Sequence, residues 1–318
     1  MTSSPPAPRA DIAVLGGSGF YSFLADAEPV AVATPFGPPS DEIHVGEIEG
    51  RPVAFLSRHG HGHRYPAHLV NYRANLWALR SVGVRQIVSA CAVGSLDPQR
   101  GAGSVIVPDQ IIDRTWGRQH TMYDQIGRTV HVGFADPFCP TGRAVAVAAR
   151  GPDANQSDAG ADRASTGDRP GAVGDPDEAG PAVAGGGDTG AGLSPVVDGG
   201  TIVVINGPRF STRAEARWHR QAGATIVGMT SMPEAAIARE LALCYTSVCL
   251  VTDLDAGVGP DDAVTHAGVM EAFAANMPRF TALVGAIVAG LPATQDDDLA
   301  SCPCRRSLDG LRLPFDLP

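Results

Sequence analysis

Short apolar runs alternate along this chain with longer segments in which apolar residues recur at helical spacing. Residues 12–17, IAVLGG, form an apolar run that ends in glycines and predicts a buried strand. Residues 68–83 carry leucines near helical spacing and end at Gly83, which predicts a helix and its stop. Further strands are predicted in VRQIVSACAVGSL, GSVIVPDQIID, TIVVING, ATIVGM and YTSVCLVTD, and a long last helix over about 263–290. This alternation is typical of an α/β fold, here a single domain with a central mixed β-sheet flanked by helices.

Composition and charge exclude several classes of protein. Hydrophobic residues make up 44% of the 318 residues and charged residues 18%, as in a globular domain. The formal net charge of −10, without a basic stripe, argues against a nucleic-acid partner. No apolar run approaches the ~18–20 residues of a membrane span, and the first ten residues lack the apolar stretch of a signal peptide. Six cysteines are too few for a disulfide scaffold, so we expect a cytoplasmic protein with mostly reduced thiols and no membrane partner.

One segment departs from this composition. Residues 151–200 contain 13 glycines and 5 prolines, no aromatic residue, and nine acidic side chains against two arginines. Such a segment cannot bury enough apolar surface to offset the entropy of ordering it. The sequence therefore predicts a disordered N-terminus over 1–10 and a domain over 11–292, interrupted by a disordered insertion at 151–199. A C-terminal tail follows over 293–318.

Cysteines in that tail are a weaker signal. Cys302-Pro303-Cys304 is compatible with an exposed redox pair or with metal thiolates. A single C-x-C carries little specificity, so we interpret the pair as part of a frayed tail.

A glycine-rich turn follows the first predicted strand. In Gly16-Gly17-Ser18-Gly19, backbone N–H groups and the Ser18 hydroxyl could close around an anion, or the turn could be purely structural. The sequence matches neither the dinucleotide-binding fingerprint nor a P-loop.

A histidine-rich loop, Arg58-His59-Gly60-His61-Gly62-His63-Arg64, follows the VAFLS strand. Arg58 could supply a bidentate fork and His59 a second donor to a phosphate dianion. On an extended segment, His59, His61 and His63 would instead share one face and could bind a metal. A solvated loop without function is the third reading.

Two carboxylates, Asp253 and Asp255, end the last predicted strand and point to the same side of an extended segment. Their repulsion predicts that one of them holds a proton near neutral pH. A protonated carboxyl offers one donor and one acceptor, which matches the N7 and N6 edge of adenine. The alternative is an Asp that only caps a turn.

The turn Asn206-Gly207-Pro208 leads into a predicted helix. Phe210 beyond it could stack on a planar ring or belong to the core. Ser211 and Thr212 could be helix N-caps without another role.

These motifs occur together in the order of a known family. They are GGSG (16–19), TPFGPPSD (34–41), SRHGHGHRYPAHLVNYRANLWAL (57–79), AVGSL (92–96), DPFCP (136–140), NGPRFSTRAEA (206–216), GMTSMPEA (228–235) and VTDLD (251–255). Over roughly 11–150 and 200–290, the chain closely resembles the methylthioadenosine phosphorylase branch of the trimeric purine nucleoside phosphorylases. The resemblance implies a nucleoside-phosphorylase-like fold, a homotrimer, and no metal or organic cofactor, with orthophosphate as co-substrate.

The resemblance also implies roles for single residues. It assigns catalysis to Asp253 and His59, and substrate choice to Ser211 and His266. The implied phosphate contacts are Ser18, Arg58, His59, Cys91, Ala92 and Thr230, and the implied nucleoside contacts are Phe210, Met229, Asp253, Leu254 and Asp255.

Two positions depart from the family pattern. Cys91 stands where the family usually carries Thr or Ser, so only its backbone contact carries over. His266 stands where the methylthio-specific branch has a small apolar residue.

The expected function is therefore a purine nucleoside phosphorylase of purine salvage that accepts adenosine as well as methylthioadenosine. The alternatives are a strict methylthioadenosine phosphorylase, a nucleoside-binding protein without turnover, and a metal-dependent hydrolase that uses the histidine loop.

Overall fold

A single mixed sheet organises the part of the chain described by the computed structural model, residues 10–17, 27–149, 196–259, 264–294 and 296–318. Ser18, the nine N-terminal residues and the predicted insertion up to residue 195 lie outside these ranges. The strands are β1 (Ile12–Gly16), β2 (Glu28–Val30), β3 (Ile43–Ile48), β4 (Arg51–Ser57), β5 (Gln86–Ser95), β6 (Val105–Val107), β7 (Gln110–Arg114), β8 (Val197–Asp198), β9 (Thr201–Ile205), β10 (Ala224–Gly228) and β11 (Cys244–Leu254).

Helices cover both faces of this sheet. They are α1 (Tyr72–Ser81), α2 (Pro140–Ala148), α3 (Arg213–Gln221), α4 (Ser231–Glu240), α5 (His266–Gly290) and the short α6 (Asp297–Ala300). Short 3₁₀ turns occupy His61–His63 and Ala67–Leu69. The predicted α/β architecture with a central mixed sheet is confirmed.

The strand order is β2-β3-β4-β1-β5-β10-β9-β7; β11 branches from β5, β6 pairs with β11, and β8 pairs with β6. β1 lies parallel to β4 and β5, and β11 lies parallel to β5 along the length of that strand. β10 pairs antiparallel with the last residues of β5. Since β1, β4, β5 and β11 are mutually parallel, their carboxyl ends point toward the same edge of the sheet.

Alternate residues of each strand pack into different cores, as the pleat requires. Leu15 belongs to the core that also contains Leu76 of α1 and Ile237 of α4. Its neighbour Val14 belongs to the opposite core, which is closed by α2 and α5.

By length and composition, α5 could cross a membrane, since its most apolar window has a mean hydropathy of 1.4. Phe280, Leu283 and Val284 of this helix are fully buried in the core under the sheet. That packing is the ordinary environment of a core helix in a globular domain.

One segment that was predicted to be a single strand forms two strands. GSVIVPDQIID divides at Pro108, because proline has no N–H for a sheet ladder. β6, before the proline, pairs with β11, and β7, after it, pairs with β9.

The last residues assigned to the insertion belong to the sheet. β8 pairs parallel with β6, with Val197 opposite Ile106, and Gly199 N–H donates to the Val107 carbonyl. Of the predicted insertion, therefore, only the part before residue 196 lies outside the described fold.

The C-terminal segment also packs against the domain. The Phe315 ring contacts Trp77 and Tyr123 at centroid distances of 5.8 and 5.5 Å. Cys302 and Cys304 are buried. The interpretation of these cysteines as a frayed tail is wrong, because they pack with Leu299 and with the sulfurs of Cys139 and Cys244, which lie far away along the chain.

Candidate active site

A cavity of about 560 Å³ lies at the carboxyl edge of the parallel strands. A volume of this size is ordinary for a small-molecule site. Most of the predicted site residues line it, although they come from six separate segments of the sequence. These lining residues are Arg58, His59, Cys91, Ala92, Phe210, Ser211, Met229, Thr230, Asp253, Asp255 and His266.

The cavity exists because the sheet splits at β5. β11 pairs with one edge of β5, and the other edge is shared by β1 over residues 86–89 and β10 over residues 94–95. No described strand pairs with this second edge over residues 90–93, so its backbone polar groups lack sheet partners there. The Cys91–Ala92 pair lies in that gap and lines the cavity, which suits the backbone phosphate contact implied for it.

Two predicted residues are not placed in the cavity. Ser18 lies outside the described residues, although Gly17 of the same turn lines the cavity. Leu254 does not line it, and its side chain is directed toward Gly259, where an added Cβ would lie 3.2 Å from Leu254 Cδ1.

Arg58 is 2% exposed and fully engaged at one edge of its guanidinium. Nε and Nη2 donate to the Glu234 carboxylate at 2.5 and 3.2 Å, and Nη2 also donates to the Leu15 carbonyl and the Ser89 hydroxyl. Nη1 donates to the Ala90 carbonyl at 3.1 Å. The bidentate fork predicted for phosphate is therefore occupied by Glu234, and a ligand in the cavity meets mainly the Nη1 side of the guanidinium.

Glu234 is the partner that the sequence reasoning missed. It is fully buried, and besides Arg58 it accepts hydrogen bonds from the Tyr245 and Ser89 hydroxyls at 2.8 and 3.2 Å. The carboxylate offsets the Arg58 charge, so a phosphate dianion entering this site needs further donors. Thr230 and the open edge of β5 lie in the same cavity.

His59 has a fixed tautomer. Its Nδ1 lies 2.8 Å from the Tyr65 carbonyl, which can only accept, so Nδ1 carries the proton. Burial, and next the nearby Arg58 charge, lower the pKa of His59 to about 3. The neutral ring, stacked on His63 at 4.2 Å, has an acceptor at Nε2. The role predicted for His59 as a second donor to phosphate therefore does not fit the ring in this state.

Cys91 and Thr230 adjoin the Arg58 network. The Cys91 Sγ lies 3.7 Å from Thr230 Oγ1 and 3.5 Å from Ser89 Oγ. A hydrogen bond with Cys249 lowers the pKa of the Cys91 thiol, burial opposes this, and the Arg58 charge lowers it further. Both side chains are largely buried. Cys91 therefore forms part of the cavity wall with a thiol, at a position where the related family usually has the hydroxyl of Thr or Ser.

Asp253 and Asp255 lie together over Gly94. A Cβ added to Gly94 would lie 3.0 Å from Asp253 Oδ1 and 3.4 Å from Asp255 Cβ, so a side chain there would require the pair to shift. Burial raises the pKa of Asp253 to about 6; the hydrogen bond from Thr252 lowers it, and the charge of Asp255 adds a smaller rise. A raised carboxyl pKa agrees with the prediction, but its main cause is burial rather than repulsion.

Asp255 is more enclosed than Asp253. Burial raises its pKa, while the neighbouring Ser211 hydroxyl and the Ala256 N–H lower it. The Ser211 hydroxyl is near Asp255 but outside hydrogen-bonding geometry, so Asp255 Oδ2 and Ser211 Oγ are buried and make no hydrogen bond within the described residues. Ser211 is not the helix N-cap, because Thr212 fills that position through a capping box with Glu215. Buried polar atoms without partners in a cavity are typical of a site that binds a polar ligand.

Apolar side chains form the opposite wall. Met229 packs against Gly207, where an added Cβ would lie only 2.6 Å from the Met229 sulfur, and the φ of +64° also favours glycine there. Phe210 and Phe273 line the cavity nearby. A planar base and a sugar ring could both contact such a surface.

Arg118, whose role no sequence motif predicted, holds this wall in place. It donates to the Met229 carbonyl at 2.9 Å, to the Asn206 carbonyl at 2.9 Å and to the Met232 carbonyl at 2.5 Å. Two loops far apart in the sequence are thereby fixed to one side chain.

The histidine loop does not form the alternative metal site. Gly62 has φ +65° inside the 3₁₀ turn His61–His63, so the segment is not the extended strand on which that prediction depended. Within the described ranges, three or more potential ligand atoms come together elsewhere, at four cysteines.

His266 and His63 lie at the mouth of the cavity, beside Val269 and Met270 of α5. Burial, and next the His266 charge, lower the pKa of His63, which indicates that the two imidazoles are near one another. His266 itself is exposed in the first turn of α5.

The chain is similar in sequence to proteins of one known family. A sequence profile of the phosphorylase superfamily matches residues 11–289. A purine nucleoside phosphorylase of Streptomyces coelicolor is 48% identical, with 98% of both chains covered. An S-methyl-5'-thioadenosine phosphorylase of Mycolicibacterium smegmatis is 45% identical, with 96% of this chain and 99% of the relative covered.

Solved structures of the same family are similar to this fold. A methylthioadenosine phosphorylase from an Antarctic soil metagenomic library has a TM-score of 0.76 and 35% identity, covering 95% of this chain and 92% of its own. The methylthioadenosine phosphorylase of Schistosoma mansoni in complex with adenine has a TM-score of 0.72 and 32% identity, covering 88% and 91%.

Proposed function

We propose that this chain, which belongs to the phosphorylase superfamily, is a purine nucleoside phosphorylase of purine salvage. It cleaves a purine ribonucleoside or deoxyribonucleoside, or 5'-methylthioadenosine, with orthophosphate to the free base and a pentose 1-phosphate. One observation carries the proposal: a single cavity combines the Arg58, His59 and Thr230 set with the Asp253 and Asp255 pair, across an apolar wall that includes Met229.

Phosphate is proposed to bind at the split edge of β5. The donors proposed for it are the remaining Arg58 Nη1 hydrogen, the Thr230 hydroxyl and the Ala92 N–H, which by strand alternation points to the same edge of β5 as the Ala90 carbonyl that Arg58 contacts. Neutral His59 can accept a hydrogen bond at Nε2 from the P–OH group of a hydrogen phosphate, which orients the phosphate so that an unprotonated oxygen faces the sugar. With a pKa of about 3, His59 is then a hydrogen-bond acceptor toward phosphate rather than a donor.

The base is proposed to bind at Asp253 and Asp255. As the N-glycosidic bond breaks, negative charge develops on the purine, and a protonated carboxyl can donate to N7. A pKa of about 6 for Asp253 keeps part of the population protonated near neutral pH, and further burial by the bound base would raise that fraction. Asp255 and Ser211, with their unpartnered oxygens, complete the edge of the base pocket.

The phosphate and the bond-breaking sugar are proposed to meet under the apolar wall. Positive charge on the sugar is stabilised by the phosphate dianion, and Met229 and Phe273 exclude water from the reacting carbon. Exclusion of water favours transfer to phosphate over hydrolysis.

The choice of base follows from the carboxyl at position 253. A neutral carboxyl has one donor for N7 and one acceptor for the 6-amino group, whereas a 6-oxopurine presents two acceptors. We therefore expect adenosine and methylthioadenosine to be preferred over inosine and guanosine by about 1–3 kcal/mol.

A strict methylthioadenosine phosphorylase is the second candidate. The apolar residues Val269, Met270 and Phe273 at the cavity mouth favour it, since they would suit a methylthio group. His266 at the same mouth favours a 5'-hydroxyl instead, because an imidazole can hydrogen-bond it.

Three further expectations belong to this proposal. The reaction uses orthophosphate as co-substrate and no organic cofactor. The enzyme works in the cytoplasm as a homotrimer, with no nucleic-acid or membrane partner. The large exposed side chains Leu69, Trp116 and Ile126 are candidates for burial between subunits.

A substrate panel with and without phosphate tests the function. The panel contains adenosine, methylthioadenosine, inosine, guanosine and methylthioinosine, and base release is followed by chromatography. We expect phosphate-dependent release of adenine, with both 6-aminopurine substrates ahead of their 6-oxo counterparts. His59→Asn should abolish most of this activity, and His61→Asn, in the same loop but not lining the cavity, is the matched control. Base release without phosphate would point to a hydrolase, and binding without release to a nucleoside-binding protein.

A further inference from the structure

Four cysteines come together at the end of the sheet remote from the cavity. Cys139, Cys244, Cys302 and Cys304 are each at most 2% exposed, and all four sulfur atoms lie within 4.8 Å of one another. None of them lines the cavity. The reaction proposed above makes no use of this cluster.

The distances between the sulfurs match a tetrahedral thiolate site. Cys302 Sγ lies 3.6 Å from Cys139 Sγ and 3.7 Å from Cys244 Sγ. Four sulfurs placed tetrahedrally about 2.3 Å from a zinc ion are separated by about 3.8 Å. All six cysteines of the chain are free in this structure.

Each ligand is held by ordered backbone. Cys139 is the N-cap of α2 and accepts from the Gly142 N–H at 3.4 Å. Cys244 begins β11. Cys302 lies in a turn in which its carbonyl accepts from the Arg305 and Arg306 N–H groups, and this turn brings Cys304 to the same point.

The surroundings suit a negatively charged metal site. Four thiolates around a divalent ion carry a net charge of −2. The Arg239 guanidinium lies 3.7 Å from Cys304 Sγ, and the Gly142 N–H at the N-terminus of α2 points to Cys139. Leu299 packs into the cluster and excludes water. Such outer contacts are what a thiolate site requires for its charge.

We propose that these four cysteines bind one structural zinc ion. Binding replaces four S–H protons by four Zn–S bonds and releases those protons to solvent, with no change of oxidation state. The ion joins the C-terminal segment to the start of β11 and to α2. Zinc is the ion that this set favours, because tetrahedral all-sulfur coordination with no open position is its usual structural site.

Metal analysis of the full chain tests this directly. The protein is purified without added metal or chelator, and zinc, iron and copper are measured by mass spectrometry. We expect about one zinc per chain, release of that zinc by a mercurial thiol reagent, and six titratable thiols after denaturation with chelator. Replacement by cobalt should give the intense visible bands of a tetrahedral tetrathiolate.

Variants locate the ion. Cys302→Ser combined with Cys304→Ser should reduce the zinc content to below about a tenth of an equivalent. Cys249→Ser, a buried cysteine on the same strand outside the cluster, is the matched control and should keep the ion. If the double variant does not fold, the stoichiometry and cobalt spectrum of the unmodified protein still decide the question.

The other outcomes overturn the proposal. Six free thiols without metal would mean that the cysteines only pack, and fewer than six thiols in the absence of reductant would mean disulfides. Iron in place of zinc would contradict the assignment of the ion. Since no arm depends on turnover, failure here is independent of the proposed phosphorolysis.

Discussion

The two ends of β11 carry opposite kinds of site. Asp253, at the carboxyl end, lines an open cavity, whereas Cys244, at the amino end, lies in a closed cluster about 30 Å away along the strand. In the cavity, Asp255 Oδ2 and Ser211 Oγ lack partners within the described residues, and in the cluster each sulfur has others close by. One strand therefore supports both a site left incomplete for a ligand and a site that joins segments of the chain.

Disrupting the Arg58–Glu234 ion pair should have the largest effect on stability and activity of any change at the cavity end. Arg58→Ala leaves Glu234 buried without its charge partner, which should cost about 3–5 kcal/mol of unfolding free energy. It should also remove about 3–4 kcal/mol of transition-state stabilisation, which lowers kcat/KM, and it should raise the phosphate KM. Denaturant unfolding and steady-state kinetics measure the two effects.

The matched control is Arg306→Ala. This arginine pairs with Asp309 at 2.9 Å on the surface, where both side chains are more than half exposed. The change should cost less than about 1 kcal/mol and leave the activity unaltered. Wild-type phosphate saturation in Arg58→Ala would remove Arg58 from the phosphate site.

Asp253 gives a pH-dependent effect on stability. Its pKa is raised from 3.8 to about 6 by burial, so the folded state binds this proton more tightly than the unfolded state. Asp253 therefore makes its full contribution to the free energy of unfolding below about pH 4. That contribution, about 3 kcal/mol, is lost as the pH rises through 6. Asp253→Asn should raise Tm at pH 8 and change it little at pH 4. An equal change of Tm at both pH values would contradict the buried carboxyl.

His266 gives the smallest expected effect. Because this imidazole is exposed at the cavity mouth, we place its contribution near the lower end of the range for a polar contact, about 1 kcal/mol. His266→Val should improve methylthioadenosine relative to adenosine by about fivefold in kcat/KM. Ala267→Val, at the next position and not lining the cavity, is the control. An unchanged ratio would favour the strict methylthioadenosine phosphorylase.

The cavity end was largely predictable from the sequence. Arg58, His59 and the Asp253–Asp255 pair lie directly at the ends of predicted strands, and parallel strands bring such ends together. Their partners were not predictable, because Glu234 lies 176 residues from Arg58 in the sequence and local spacing does not encode that contact. The His59 tautomer also depends on the turn that brings the Tyr65 carbonyl to Nδ1.

The clustering of the four cysteines at the amino end of β11 was not predictable from the sequence. Cys139 and Cys244 stand alone in the sequence, and only the packing of the C-terminal segment brings Cys302 and Cys304 to them. Likewise, the open edge of β5 results from β1 and β10 sharing one side of a strand, a property of topology rather than of any motif.

Identification of the second product tests the central claim most directly. Adenosine is incubated with the enzyme and phosphate, and adenine and phosphorus-containing products are quantified by chromatography and ³¹P NMR. Phosphorolysis predicts one pentose 1-phosphate for each adenine released, with an equal loss of orthophosphate. Free ribose, or adenine released at the same rate in phosphate-free buffer, would contradict the account.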